Sequence, residues 1–166
     1  MKLDLRIDGQ VTIDMKDYVT TMIESFPKDV LLKGKVASPW TENLFKVDQK
    51  SKLLDNSKSE QFHTTTAQAL LLCKRGRPDI SPAVAFFTTR VKASTEENWN
   101  KLVRMMQYLH QSRDGVLTLK ADNYKVLHWH VDAAFAVDPD FKSHTGGILT
   151  MGHGAILSYS RKQKLL

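Results

Sequence analysis

Hydrophobic and polar positions alternate at the start of the chain, recur at helical spacing through its middle, and alternate again toward its end. Leu3, Leu5 and Ile7, then Asp8-Gly9, then Val11 and Ile13, predict a β-hairpin closed by a tight turn. Asp14 is expected to cap a helix in which Tyr18, Val19, Met22, Ile23 and Phe26 share one face, with Pro27 ending it. Over residues 28–55 the periodicity lapses around Pro39-Trp40. A connection of that length serves a function or lies along another surface.

Helical spacing then resumes. Ser57-Lys58-Ser59-Glu60 predicts a capping box opening a helix to about Lys74, with Phe62, Ala69, Leu70 and Cys73 inward. A second helix is expected from Asp79, after Arg77-Pro78, burying Ala83, Val84, Phe87 and Val91. Ser94-Thr95-Glu96-Glu97 predicts another capping box, before a stripe of Trp99, Leu102, Val103, Met106 and Leu109. After Asp114-Gly115 the period becomes two, and residues 116–119, 126–135, 147–151 and 155–159 read as strands. Asp138-Pro139-Asp140 and His153-Gly154 are the expected turns. The predicted class is α+β: an N-terminal hairpin and helix, a three-helix layer, then an antiparallel meander. The corresponding divisions are 1–56, 57–114 and 115–166.

Composition is that of a globular chain: 42% hydrophobic and 25% charged over 166 residues. No apolar run is long enough to span a bilayer, so no membrane partner is expected. One cysteine, Cys73, permits no internal disulfide and suits an intracellular setting, cytoplasmic or nuclear. The net charge of +6 is uneven. Residues 1–60 hold ten basic and ten acidic side chains; residues 61–166 hold fourteen and eight. The excess points either to a polyanion partner, through phosphate contacts, or to an ordinary solvated surface.

Candidate chemistry centres on the strand at 126–135. Its apolar file, Leu127, Trp129, Val131, Ala133 and Phe135, is expected to pack against the helices. Asp132, with His128 and His130, would then project from the other face, within reach of water or a metal. A two-metal nuclease needs several carboxylates around ions about 4 Å apart, which one Asp cannot provide. The alternative is an Asp facing solvent or capping a turn. His128, His130 and Asp132 also suggest a metal site from one strand, yet they spread over about 13 Å and would need a bulge to converge. Lys74, Arg75, Arg77, Arg90, Lys92, Lys101 and Arg104 form a basic set at helix ends, able to grip phosphates or to cap helix C-termini. Trp40, Trp99 and Trp129 are expected to anchor cores, and Cys73 to be a buried thiol. No Gly-rich phosphate loop, Gly-x-Ser-x-Gly, Cys-x-x-Cys or His-Glu-x-x-His occurs.

Several segments resemble copia-type retrotransposon polyproteins. Trp129-His130-Val131-Asp132-Ala133-Ala134-Phe135-Ala136, Asp138-Pro139-Asp140, Ser143-His144-Thr145-Gly146-Gly147 and Ser158-Tyr159-Ser160-Arg161-Lys162-Gln163-Lys164 are similar to the start of that family's ribonuclease H domain. Ala69-Leu70-Leu71-Leu72-Cys73-Lys74-Arg75-Gly76-Arg77-Pro78-Asp79-Ile80 and Phe86-Phe87-Thr88-Thr89-Arg90-Val91 resemble the stretch joining reverse transcriptase palm to ribonuclease H. Asp17-Tyr18-Val19 and Phe26-Pro27 look like the family's segment just after the palm. The resemblance implies that the meander is a truncated ribonuclease H-like sheet and that Asp132 holds the position of its first magnesium-binding catalytic carboxylate. It implies that the remaining carboxylates of both active sites lie outside the chain. Mg2+ would be a cofactor of the parent enzyme, with none bound tightly here. The expected function is therefore non-catalytic, with weak backbone contact to an RNA–DNA hybrid or other duplex, the rest of the polyprotein or a second copy being further partners. The alternatives are a protein-interaction module using an open sheet edge and a metal-dependent enzyme using His128, His130 and Asp132.

Overall fold

The computed structural model describes residues 1–31, 35–135 and 142–164. It is mixed α and β: β1 (Lys2–Leu5), β2 (Val11–Asp14), α1 (Lys16–Glu24), α2 (Lys28–Leu31), α3 (Asn56–Arg75), a 3-10 turn (Pro78–Ile80), α4 (Ser81–Thr88), α5 (Glu96–Gln111), then β3 (Leu117–Ala121), β4 (His128–Ala134), β5 (His144–Thr150), β6 (Gly152–His153) and β7 (Leu157–Lys162). No helix among the described residues is long and apolar enough to cross a membrane.

The helices form because their apolar residues recur on one side, and α3 and α5 also carry side-chain N-caps. Asp14 Oδ1 accepts from the Lys16 amide at 2.7 Å as α1 opens. Three expected caps move, the first because the N-cap of α1 is Met15, which makes no side-chain cap bond. On α3 the cap is Asp55, which accepts from Lys58 N at 2.9 Å, rather than Ser57. On α5 it is Thr95, in a reciprocal box with Asn98, because Ser94 is buried and committed elsewhere. The Ser94 carbonyl accepts from Leu54 N at 3.0 Å and its hydroxyl meets that of Ser59 at 3.4 Å.

The core lies between α1, α3, α4 and α5. Phe62, Leu72, Ile80, Phe87, Leu102 and Met106 are fully buried. Phe62 meets Phe87 edge-on at 5.8 Å, and Phe26 stacks on Trp99 at 5.3 Å. Burying each such side chain contributes about 1.5–3 kcal/mol. Leu70, expected inward, is 42% exposed, because Ala69, Leu72 and Cys73 define the inner stripe. Residues 28–55 lie along α5 where described. Leu31 and Leu44 are buried, Glu97 Oε2 accepts from Asp48 N at 2.8 Å, and Leu53 forms a bridge to Thr95.

The strands form two sheets. The order β1-β2-β3-β6 ties the N-terminal hairpin to the strand that comes after α5, with Ile13 opposite both Leu3 and Leu117. The second sheet, β4-β5-β7, is the expected three-stranded antiparallel meander. The Asp138-Pro139-Asp140 turn lies outside the described residues. Gly147 lets Tyr159 lie across β5, since a Cβ there would collide with the phenol ring.

The register of the second sheet reverses one expectation. Asp132 pairs with Gly146 and Gly146 with Ser160, while His130 pairs with Ile148 and Ile148 with Ser158. This face looks toward the helices: His144, on it, is buried against the Phe45 ring at 4.6 Å, and Lys74 Nζ reaches the Ser158 carbonyl at 3.2 Å. The apolar file that was expected to pack on the helices faces outward instead. Trp129, Val131 and Leu157 are 48%, 56% and 50% exposed. The small residues Gly146, Ser158 and Ser160 allow the Asp132 side to approach α4, which the bulk of Trp129 and Tyr159 would not.

Candidate nucleic-acid interface and carboxylate cleft

Between the helical layer and this sheet runs a cleft of about 350 Å³. Trp40, Asp79 and Ser81 line one wall, and His130, Asp132 and Ser160 the other. Asp132 is exposed and opposite a glycine, so nothing on the neighbouring strand covers its carboxylate. Its isolation limits what it can do. Among the described residues no three His, Cys, Asp or Glu side chains are grouped to hold a metal. The other carboxylate of the cleft, Asp79, is engaged: Arg77 Nε and Nη2 donate to it at 3.0 and 2.7 Å, and the Tyr108 hydroxyl donates at 2.8 Å. The described residues therefore do not fit a magnesium pair. His128 and His130 share the face of Asp132 but keep to the strand file and do not converge with it.

The basic set divides. Arg77 is 5% exposed, forked onto Asp79, bonded to the Ser112 carbonyl at 2.9 Å and laid over the Tyr108 ring at 5.4 Å. Burial opposes its charge, but the hydrogen bonds and Coulombic attraction of Asp79 prevail and hold its pKa above the ordinary value. Burial and the bond to Asp79 likewise raise the Tyr108 phenol. Lys101 is also engaged internally. It pairs with Glu97 at 2.8 Å, donates to the Leu44 and Lys46 carbonyls, and lies over Phe86 at 4.7 Å. Arg104 is half-buried, with its Nε enclosed.

Lys74, Arg75 and Lys92 are exposed, and Arg90 is half-exposed beside Phe86. These four do not form one patch. Lys74 and Arg75 end α3, whereas Arg90 and Lys92 precede Ser94, which touches Ser59 in the first turn of that helix. Ser59 and Arg75 are sixteen residues apart on α3, roughly 24 Å along its axis, so the two pairs lie toward opposite ends of that helix. Cys73 is buried, and burial pushes its thiol up to about 11, so it is not a nucleophile at neutral pH. The Arg77-Asp79-Tyr108-Ser112 network was missed from sequence. Arg77-Pro78-Asp79 offered a local sign of an ion pair, but nothing announced Tyr108 and Ser112 as its partners.

Comparison with known proteins gives three related matches, and no family model or solved structure matches the chain. Over 89 residues the chain is 38% identical to the Retrovirus-related Pol polyprotein from transposon RE2 of Arabidopsis thaliana, covering 53% of this chain and 6% of that protein. The corresponding polyprotein from transposon RE1 of the same plant matches to the same extent. The putative transposon Ty5-1 protein YCL074W of Saccharomyces cerevisiae is 25% identical over 166 residues, covering 94% of this chain and 49% of the relative. The chain thus spans a small part of the plant relatives and about half of the yeast one. It is related in sequence to retrotransposon Pol polyproteins and matches a segment of them.

Proposed function

We propose that the chain is the segment joining the polymerase palm to the ribonuclease H domain in a copia-type polyprotein, and that it touches the backbone of an RNA–DNA hybrid without catalysing a reaction by itself. The observation that carries this reading is the similarity to two retrovirus-related Pol polyproteins over 53% of the chain and to a putative transposon protein over 94% of it. The basic excess in residues 61–166 agrees with it. Arg75 at the end of α3, with Arg90 and Lys92 after α4, are the cations best placed to meet phosphates, and Lys74, which donates to the Ser158 carbonyl, lies exposed beside Arg75. Pairs toward opposite ends of α3 suit a duplex, whose phosphates recur along both strands, better than a compact anion. Backbone contacts carry shape rather than sequence information. Asp132 stands at the position of the first ribonuclease H carboxylate and awaits partners supplied elsewhere in the polyprotein. Mg2+ belongs, in this reading, to the assembled enzyme.

The test is fluorescence anisotropy with a labelled RNA–DNA hybrid across a salt series. The affinity is expected to fall steeply with salt, and Lys74→Glu with Arg75→Glu should lower the slope of log affinity against log salt by about 2. Binding that ignores both salt and the double reversal would overturn the nucleic-acid reading. Hybrid cleavage that survives Asp132→Asn would show that a nuclease in the preparation does not use this carboxylate.

A further inference from the structure

One turn of α5 holds the connection that precedes α3 by its backbone. The Lys101 side chain is only 16% exposed, and its ammonium has three N–H donors. Three acceptors meet them: the Leu44 carbonyl at 3.1 Å, the Lys46 carbonyl, and Glu97 Oε1 at 2.8 Å. Glu97, one turn earlier, uses its other oxygen to accept from the Asp48 amide at 2.8 Å. A charge withdrawn this far from water is tolerable because its donors are satisfied. Residues 41–50 have no strand partner, so these bonds and the burial of Leu44 hold them down in place of a ladder. Residues 51–54 are anchored separately. The Glu96 amide donates to the Lys52 carbonyl at 2.9 Å, the Leu54 amide to the Ser94 carbonyl at 3.0 Å, and Leu53 bridges to Thr95.

What the latched stretch carries reaches the second sheet. Phe45 lies edge-on to Phe86 of α4 at 6.2 Å and against the His144 ring of β5 at 4.6 Å. His144 is buried there, with its Nε2 2.6 Å from the Ser160 hydroxyl. Trp40, just before the latched stretch, lines the cleft together with His130 and Asp132. The sheet turns the small residues Gly146, Ser158 and Ser160 toward α4, so it buries little apolar area there and depends on contacts such as that of Phe45. We propose that residues 41–50 are a strap, latched to α5 by Glu97 and Lys101, that clamps the β4-β5-β7 sheet to the helical layer through Phe45. Opening the latch frees the strap about its anchor at 51–54, uncovers His144 and widens the cleft in which Asp132 sits. The device uses contacts within the chain alone and stands apart from the nucleic-acid reading.

Native-state amide exchange of the full chain, with diethyl pyrocarbonate labelling of His144 read by mass spectrometry, tests it. Lys101→Met keeps an apolar stem over Phe86 but removes the ammonium. The Leu44, Lys46 and Asp48 amides should then exchange at least about tenfold faster, and His144 should label faster. Glu97→Ala removes the other half of the latch and should loosen the same amides. Phe45→Ala should speed the labelling of His144 while the Asp48 amide stays protected by Glu97, which separates the clamp from the latch. Protection over residues 62–73 of α3 should match the wild type in all three variants. Strap amides that keep wild-type protection in both Lys101→Met and Glu97→Ala overturn the proposal. So does faster exchange spread evenly over strap and α3 in both, which would be a general loss of stability. His144 labelling that stays at the wild-type rate once the strap is free overturns it as well.

Discussion

The helical layer and the β4-β5-β7 sheet carry apolar residues at equally regular spacing but bury them very differently. On α3, α4 and α5 the stripes face one another, and Phe62, Phe87, Leu102 and Met106 lose all contact with water. On the sheet, Trp129, Val131 and Leu157 keep an equally clean period of two and remain about half exposed. The sheet has helices on one side only, and its polar, small-residue face took that side. Apolar periodicity therefore identifies a surface that gains by being covered, without saying that this chain covers it. The helices hold the fold together, while the sheet's outer face stays exposed.

That contrast can be broken by mutation. Phe62→Ala should cost about 3–5 kcal/mol in urea unfolding, since it opens a cavity where Phe62 meets Phe87, whereas Val131→Ala should cost less than about 1 kcal/mol. Arg77→Met should cost about 2–3 kcal/mol by leaving Asp79, Tyr108 and the Ser112 carbonyl short of a donor, and Arg77→Lys should not rescue it, because an ammonium cannot make the fork. Thr95→Ala should cost about 1 kcal/mol through the lost cap on α5. The smallest effect belongs to the exposed pair of Asp8 and Lys120, 2.9 Å apart. The hydrogen bond from Lys120 holds the Asp8 carboxyl below its ordinary value. A lowered folded-state pKa contributes stability above the unfolded value near 4, and that contribution is lost as pH falls through the folded value. Carboxyl NMR should show Asp8 titrating below an ordinary Asp, and Lys120→Met should raise it toward the usual range while the Gln10 amide still holds it somewhat lower.

Much of this was legible beforehand. Helical spacing located α1, α3, α4 and α5, and alternation located the hairpin and the meander, because 3.6-residue and two-residue periods are written directly in residue order. The face of Asp132 was not: it was expected away from the helices and lies toward them, although the side chain is exposed. Caps were misplaced by a residue or two because several Ser, Thr and Asp side chains stood near each helix start. Only the packing of Ser94 against Ser59 decided that Thr95 would cap α5.

Residue order by itself determined the α+β class, the longer helices and strands, the buried thiol and the relation to retrotransposon polyproteins. Tertiary structure decided which basic residues are free. Arg77 and Lys101 read like Arg75 and Lys92 along the chain, yet folding brings Asp79, Glu97 and three backbone carbonyls against them. It also decided which face of β4 looks inward. Alternation divides a strand's side chains into two sets, but which set meets the helices depends on how closely the backbones approach, and Gly146, Ser158 and Ser160 on neighbouring strands made that choice.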